Sequence, residues 1–280
     1  MFEEYHKELL QSDRDPKTIE RYWEVVTAYR QWRGDRAPDV ASAKEYLAYL
    51  REKGYKPNSV ILHYHALRLF FEFIGVPLKL KLRKPRLLPR YHDRGDFEAL
   101  VKQAELGLYH QTPKCRERNV ALILTFGYTG IRKGELLALT VGDLDFNRRF
   151  IFIRDGKNQK DRIVPMAERI VVPLRRQCEG KGAHDRIFEG LSDRNAYRIV
   201  NSLGKACGLE NFHPHLLRHY CGTALVEAGV DVATIAKLLG HSDLNTTAIY
   251  LDIIPQHLLD AVGRLDSPRH PVLDANDHHS

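Results

Sequence analysis

The sequence predicts a mainly α-helical protein of two domains, with a small antiparallel β-sheet in the second domain. Most of the chain places apolar residues at helical spacing between glycine or proline breaks. Residues 144–165 change to the period of two that is typical of strands. A basic segment interrupted by prolines divides the 280 residues, and this length suffices for two domains of ordinary size.

The first domain, residues 1–78, is predicted to be a bundle of four helices. A short helix lies near residues 3–11, and the second begins at Asp15-Pro16, because proline suits the first helical position. Asp39 is expected to cap the third helix, and Pro57 starts the fourth. Glycines are expected to end the last three helices, at Gly34, Gly54 and Gly75. The aromatic residues are expected in the core rather than on a base-stacking surface, at Trp23, Tyr29, Trp32, Phe70, Phe71 and Phe73.

Residues 79–91 are predicted to form a basic linker. Pro85 and Pro89 disfavour a helix and favour an extended connector. Two interpretations fit this segment: a solvated linker, or a strap that lies along a phosphate backbone. Its candidate DNA-binding residues are Lys79, Lys81, Arg83, Lys84, Arg86 and Arg90.

The second domain, residues 92–266, is predicted to insert three strands into a helical domain. Asp96 is expected to cap its first helix, and a buried helix over residues 120–128 is broken by Gly130. The strands are expected at 144–146, 150–153 and 162–165, with turns at 147–148 and 155–160. Further helices are expected at about 133–139, 167–177, 193–207, 215–228, 231–239 and 243–250. The polar residues 267–280 are predicted to be disordered.

Composition gives a basic protein with ordinary capacity for a core. Lys and Arg total 43 against 36 Asp and Glu, a net charge of +7, which fits a polyanionic partner but also an ordinary, mildly basic surface. The four cysteines form no C-x-x-C pair, so reduced and mostly buried thiols are expected. The N-terminus is too polar for a signal peptide, and no apolar run approaches the ~20 residues that span a bilayer. We therefore expect a cytoplasmic protein without a membrane partner.

Five residues carry the chemistry that the sequence offers. His215 and Arg218 are three apart at a helix start, where free backbone N–H groups suit an anion. His241 follows the helix-ending Gly240, Tyr250 offers a hydroxyl nucleophile, and Arg132 adds a second guanidinium. Each residue alone has an ordinary structural explanation, as a cap, a surface residue or a core residue. Their joint occurrence in this order points to phosphate chemistry.

These residues stand in segments that resemble the tyrosine recombinase (phage integrase) family. The segments are residues 129–136 (Thr-Gly-Ile-Arg-Lys-Gly-Glu-Leu), Gly156-Lys157, residues 215–219 (His-Leu-Leu-Arg-His), residues 239–241 (Leu-Gly-His) and Tyr250. The resemblance covers the whole chain and implies a helical core-binding domain, a basic linker and a catalytic domain. It is most similar to the short Xer type, because no extra arm-site DNA-binding domain precedes residue 1. The resemblance implies that the catalytic residues are Arg132, Lys157, His215, Arg218, His241 and Tyr250, with Glu135 in support.

The implied activity is site-specific recombination of DNA, which must break and remake phosphodiesters without losing their energy. Tyr250 would attack the phosphorus and form a 3′-phosphotyrosyl bond, with His215 accepting the tyrosine proton. Arg132 and Arg218 would clamp the charged transition state, so no metal or other cofactor is required. Lys157, on the second turn, would protonate the leaving 5′ oxygen, and Lys160 in the same turn is its rival.

The resemblance also implies partners. The expected partner is double-stranded DNA, clamped between the two domains, and four protomers would act on two duplexes in the nucleoid. The apolar segment 253–262 would dock as a helix on a neighbouring protomer, or alternatively pack on its own domain. The target sequence stays open, and so does the biological role, whether chromosome dimer resolution, plasmid maintenance or mobile-element integration.

Three other interpretations compete with the recombinase. A type IB topoisomerase shares the chemistry but relaxes DNA without exchanging partners. A DNA-binding protein without catalysis is disfavoured by the complete set of catalytic residue types. A zinc site is disfavoured by the absence of an H-E-x-x-H motif, a nearby cysteine pair and an apparent carboxylate ligand, although four histidines are candidates: His213, His215, His219 and His241.

Overall fold

The computed structural model describes residues 1–82, 92–108, 112–154 and 161–240. The chain divides into two compact units, Met1–Leu87 and Leu88–Ser280, and each is considered by itself. No helix in the described ranges is both long and apolar enough to cross a membrane.

The first unit is a bundle of four helices whose starts are set by local capping. The helices are α1 (Phe2–Gln11), α2 (Pro16–Arg33), α3 (Val40–Glu52) and α4 (Pro57–Phe73). The Asp15 carboxylate accepts the backbone N–H of Lys17, and that of Asp39 accepts the N–H of Ser42 at 2.7 Å. The predicted starts at Asp15 and Asp39 are therefore confirmed.

The core of this bundle is aromatic, as predicted. Tyr29, Phe70 and Phe71 are fully buried, and the Tyr29 hydroxyl lies 2.6 Å from the Ser42 hydroxyl. The other predicted aromatic residues pack at the edge of the core, at Trp23, Trp32 and Phe73. Because these rings pack in or against the core, they do not form a surface for stacking on bases.

The second unit combines helices with a three-stranded sheet. The three strands are β1 (Leu144–Asp145), β2 (Phe150–Ile153) and β3 (Arg162–Pro165). They form an antiparallel sheet in that order, with Ile151 of β2 paired to Leu144 and to Val164. The predicted fold class, mainly α with a small antiparallel sheet, is confirmed. The elements are α5 (Arg94–Leu106), α6 (Pro113–Thr129), α7 (Lys133–Ala138), a short 3-10 helix (Val141–Asp143), β1 (Leu144–Asp145), β2 (Phe150–Ile153), β3 (Arg162–Pro165), α8 (Glu168–Cys178), α9 (Asp193–Ala206), α10 (Pro214–Glu227) and α11 (Val232–Leu239).

Two predictions for this unit need correction. Asp93 caps α5, because its carboxylate accepts the backbone N–H of Asp96 at 2.8 Å, while Asp96 lies in the first turn and pairs with His92 at 2.8 Å. The cysteines are free thiols as expected but not mostly buried: Cys221 is buried, and half-buried positions are found at Cys115, Cys178 and Cys207. The turn at 155–160, the helix at 243–250, the segment 253–262 and the tail at 267–280 lie outside the described residues.

Close approaches of α6 to its neighbours bring the predicted functional segments together. A Cβ atom on Gly127 would lie 2.1 Å from the Phe97 ring, so glycine lets α5 pack tightly on α6. Gly130 ends α6 with a φ of 58°, and a Cβ there would lie 2.3 Å from Leu239. The end of α6 therefore lies directly against the end of α11, and Arg132 follows at this point.

Candidate active site

Arg132 precedes the first residue of α7 and reaches the end of α11. Its Nη2 donates to the Gly240 carbonyl at 2.8 Å, and its Nη1 donates to Glu135 Oε1 at 2.7 Å. The side chain remains 42% exposed. Two hydrogen bonds thus hold the Arg132 guanidinium, while the rest of this group remains accessible to solvent.

Arg218 lies one turn into α10 and is buried, with only 2% exposure. Its Nη1 donates to the Gly130 carbonyl and its Nη2 to the Leu239 carbonyl, each at 2.7 Å. The interpretation of Arg218 as an ordinary surface residue at a helix start is therefore wrong. Burying a guanidinium requires hydrogen-bonded partners, and the ends of α6 and α11 supply them.

Three arginines from separate parts of the chain meet at the last carbonyls of α11. Arg218 binds Leu239 and Arg132 binds Gly240, while Arg162 Nε donates to the Leu238 carbonyl at 3.1 Å. The last carbonyls of a helix lack partners within the helix and carry its negative dipole end, so cations are favoured there. The arrangement fixes the chain immediately before His241.

Sequence reasoning missed Arg162. It lies on β3, in line with Val164, whose side chain is buried on the same face of the sheet. Strand alternation therefore carried a signal: an arginine on the buried face requires a carboxylate or carbonyl partner. Its carboxylate partner, Glu135, is 27 residues away in the sequence.

Glu135 joins two of these arginines. Its carboxylate accepts the backbone N–H of Arg132 at 2.8 Å and a bidentate pair of hydrogen bonds from Arg162 at 2.9 and 2.8 Å. Burial alone would raise the pKa of Glu135, but the hydrogen bonds from Arg162 and Arg132 outweigh it and lower the pKa to about 2. The carboxylate is therefore an anion at neutral pH, and it donates no proton there.

His215 opens onto a cavity of about 360 Å³ beside Arg132 and Arg218. The surrounding protein desolvates the imidazolium, and the charges of Arg218, His213 and Arg132 oppose it, so the pKa of His215 is lowered. The His219 ring stands edge-on to it, with centroids 4.6 Å apart. The imidazole is thus neutral at neutral pH and can accept a proton. The cavity is lined by Ile131, Arg132, Lys133, Tyr197, His213, Pro214, His215 and Arg218.

The structure brings together the predicted residues that it describes: Arg132, Glu135, His215 and Arg218. Lys79 and Lys81 of the linker are exposed. Within the described ranges, no group of three or more His, Cys, Asp or Glu side chains is placed to hold a metal ion. The remaining predicted residues lie outside these ranges: Arg83, Lys84, Arg86, Arg90, Lys157, Lys160, His241 and Tyr250.

Comparison with known proteins matches residues 93–257 to the phage integrase family. The chain is 33% identical to the tyrosine recombinase XerA of Thermococcus kodakarensis over 270 residues, which cover 93% of each protein. It is 31% identical to XerA of Pyrococcus furiosus over 274 residues, or 94% of this chain and 93% of that protein. The chain therefore belongs to the phage integrase family and is a tyrosine site-specific recombinase. These Xer-type relatives confirm the predicted resemblance to the Xer type.

Solved structures show the same fold. A crystal structure of a XerA recombinase is 25% identical, with a TM-score of 0.54 over 96% of this chain and 99% of that one. The XerH site-specific recombinase in a post-cleavage complex with its palindromic difH substrate has a TM-score of 0.74. That likeness covers 89% of this chain and 80% of that one at 22% identity.

Proposed function

We propose that this recombinase cleaves and rejoins DNA through a 3′-phosphotyrosyl intermediate formed by Tyr250. The observation that carries the proposal is the convergence of Arg132 and Arg218 on the end of α11, beside the cavity that contains His215. His241 follows this point directly in the chain, and the family match extends past Tyr250. The proposed catalytic set also includes Lys157.

The proposed reaction conserves the phosphodiester. The Tyr250 oxygen forms a bond to phosphorus as the bond from phosphorus to the 5′ oxygen breaks. His215 accepts the tyrosine proton, and Lys157 gives a proton to the leaving oxygen. In the second step a 5′ hydroxyl from the other duplex attacks the phosphotyrosine and releases Tyr250. The lowered pKa of His215 supports its role, because a base must be neutral beforehand.

The arginines are proposed to bind the nonbridging oxygens as negative charge develops. Arg132 donates two of its five N–H groups to Glu135 and Gly240, which fixes the guanidinium before the phosphate arrives. Donors fixed in advance need no reorganisation during the reaction, and this makes them effective. With Arg132 and Arg218 lining the cavity, fixed cations meet the charge of the phosphate, and we propose a reaction independent of metal ions.

The proposed assembly is a tetramer on two DNA duplexes. Residues 1–78 would form the core-binding domain, 79–91 the linker, 92–266 the catalytic domain and 267–280 a tail. The exposure of Lys79 and Lys81 supports DNA binding by the linker, and the break between the compact units falls within it. Protomers would join through the helix at 253–262. Bound to chromosomal DNA, the protein would act in the nucleoid.

The test is to trap the covalent intermediate. Duplexes are first selected from a random-sequence library by binding to the wild-type protein, and nicked versions then let a short cleaved fragment diffuse away. We expect the wild type to form an adduct that survives a denaturing gel, with or without EDTA. Tyr250→Phe should bind equally well and form none, because only the hydroxyl is removed.

The matched control is Tyr55→Phe, which changes an exposed tyrosine of the first unit. This variant should form the adduct at the wild-type rate. An adduct with Tyr250→Phe would assign the nucleophile to another residue. Loss of the wild-type adduct in EDTA, with recovery on adding Mg²⁺ or Zn²⁺, would contradict metal independence.

A further inference from the structure

We propose that Arg162 is a positioning residue for DNA cleavage: it fastens Glu135 to the last turn of α11 and so fixes Arg132 and the chain leading into His241. This inference rests on the proposed function. Arg162 belongs to none of the motifs that carry the family resemblance, and its role emerges from its contacts.

The contacts of Arg162 use all three nitrogens of its guanidinium. Nη1 and Nη2 bind the two oxygens of Glu135 at 2.9 and 2.8 Å, and Nε binds the Leu238 carbonyl at 3.1 Å. The guanidinium also lies against the glycine that ends α11, since a Cβ on Gly240 would come within 3.0 Å of Arg162 Nη1. Glycine at this position lets the arginine pass close to the backbone.

Stability alone is a weak reason for this pair. The side chains of Arg162 and Glu135 are 9% and 11% exposed, so both charges have lost most of their hydration. A buried ion pair recovers that cost only when its geometry is good, and well-packed apolar residues often serve stability as well or better. The bidentate geometry instead fixes direction, because a planar fork matches a carboxylate in few orientations.

Three segments of the proposed active site meet through Arg162. Glu135 holds both the backbone and the side chain of Arg132, and the carbonyl of Leu238 lies in the turn that precedes His241. Arg162 itself opens β3, and in the sequence it comes soon after residues 155–160, which contain the proposed acid Lys157. A shift of about 1 Å in such a group can cost about a hundredfold in rate.

Arg162 is unsuited to binding the phosphate itself. Its charge is paired with the Glu135 carboxylate, its three nitrogens all bind protein acceptors, and it does not line the cavity beside His215. Arg132 and Arg218 line that cavity. Arg162 therefore acts through other residues.

The experiment compares cleavage with binding in Arg162→Ala, Arg162→Lys and Glu135→Gln. Single-turnover cleavage of the nicked, selected duplexes measures the reaction of bound DNA, gel shifts on half-sites measure affinity, and thermal unfolding measures folding. We expect Arg162→Ala to slow cleavage about a hundredfold, while the half-site Kd changes less than about threefold. Arg162→Lys should recover part of the rate, because it keeps the charge but loses the fork.

A matched control exists in the same unit. Arg169 of α8 binds Glu98 of α5 with the same bidentate geometry, and it lies outside the set of residues around α11. Arg169→Ala should therefore leave cleavage at the wild-type rate. The double variant Glu135→Gln/Arg162→Ala should be no slower than the slower single variant, since both changes break one connection.

Several outcomes overturn the proposal. A folded Arg162→Ala that cleaves at the wild-type rate would do so, as would rates that fall only in proportion to binding. If Arg162→Ala fails to fold, Arg162→Lys decides, and a fully active lysine variant contradicts the need for the fork. Failure of the wild type to form any adduct would instead reject the proposed function.

Discussion

In the described part of the second unit, two bidentate arginine–glutamate pairs have the same chemistry in different surroundings. Arg169 and Glu98 bridge α8 and α5 with side chains 41% and 39% exposed, whereas those of Arg162 and Glu135 are 9% and 11% exposed. Both carboxylates have a lowered pKa, Glu98 through its hydrogen bonds from Arg169, and Glu135 against the opposing effect of burial. Water can replace either partner of the exposed pair, but not of the buried one. Burial thus turns the same contact from a surface feature into a constraint on the candidate active site.

The largest effect is expected where a buried arginine also faces the substrate. Arg218→Ala should lower single-turnover cleavage by about 100- to 1,000-fold, because it removes a fixed donor to the transition state. It should also lower the free energy of unfolding by about 1–3 kcal/mol, since the carbonyls of Gly130 and Leu239 lose their donor. Arg148→Ala, at a side chain 78% exposed, is the control and should change neither quantity. Wild-type cleavage by Arg218→Ala would remove it from the catalytic set.

The second-largest effect depends on pH. The folded-state pKa of Glu135 is about 2, below the ordinary value of 4.5, so its ionised form stabilises the fold above pH 4.5. That stabilisation, roughly 3 kcal/mol, should be lost as the pH falls from 4.5 towards 2. Urea unfolding of wild type and Glu135→Gln should therefore differ at pH 6 and converge at low pH. A difference that does not change with pH would show that the ionised carboxylate is not the stabilising form.

The smallest effect is expected at the exposed pair. Glu98→Gln should change the free energy of unfolding by no more than about 1 kcal/mol, because solvent screens the interaction. Raising the salt concentration should reduce even this difference, whereas it should change the effect of Glu135→Gln much less. If Glu98→Gln lowers the free energy of unfolding as much as Glu135→Gln does, exposure does not determine the strength of these pairs.

Local signals predicted most of the fold because they act within a few residues. Asp15-Pro16, Asp39 and Gly130 each set a helix end by bonds to adjacent backbone, and the structure places these ends as expected. The sequence predicts Asp96 as the cap of α5, but the cap is Asp93, three residues earlier. The distinction depends on His92, which binds Asp96 and packs edge-on against Phe212, a contact that local sequence does not reveal.

The candidate site was predictable to the extent that motifs name residue types. The residue types and their order point to Arg132, His215 and Arg218, and the resemblance supports them, but the burial of Arg218 is not predictable because its acceptor Gly130 is 88 residues away in the chain. Arg162 escaped for the same reason, since its partners lie in α7 and α11. Separation in sequence hides which protein groups each of these arginines binds.

The arginine contacts at the end of α11 have a consequence for how the enzyme folds. Its last carbonyls are held by arginines from the start of α7, from β3 and from α10, elements that are distant from one another along the chain. Contacts between distant segments form only after the intervening chain has closed into loops, which delays them during folding. We expect the last turn of α11 to be among the late structures to form. A nascent or partly unfolded chain would then lack an ordered active site, and it would not cleave DNA until folding is complete.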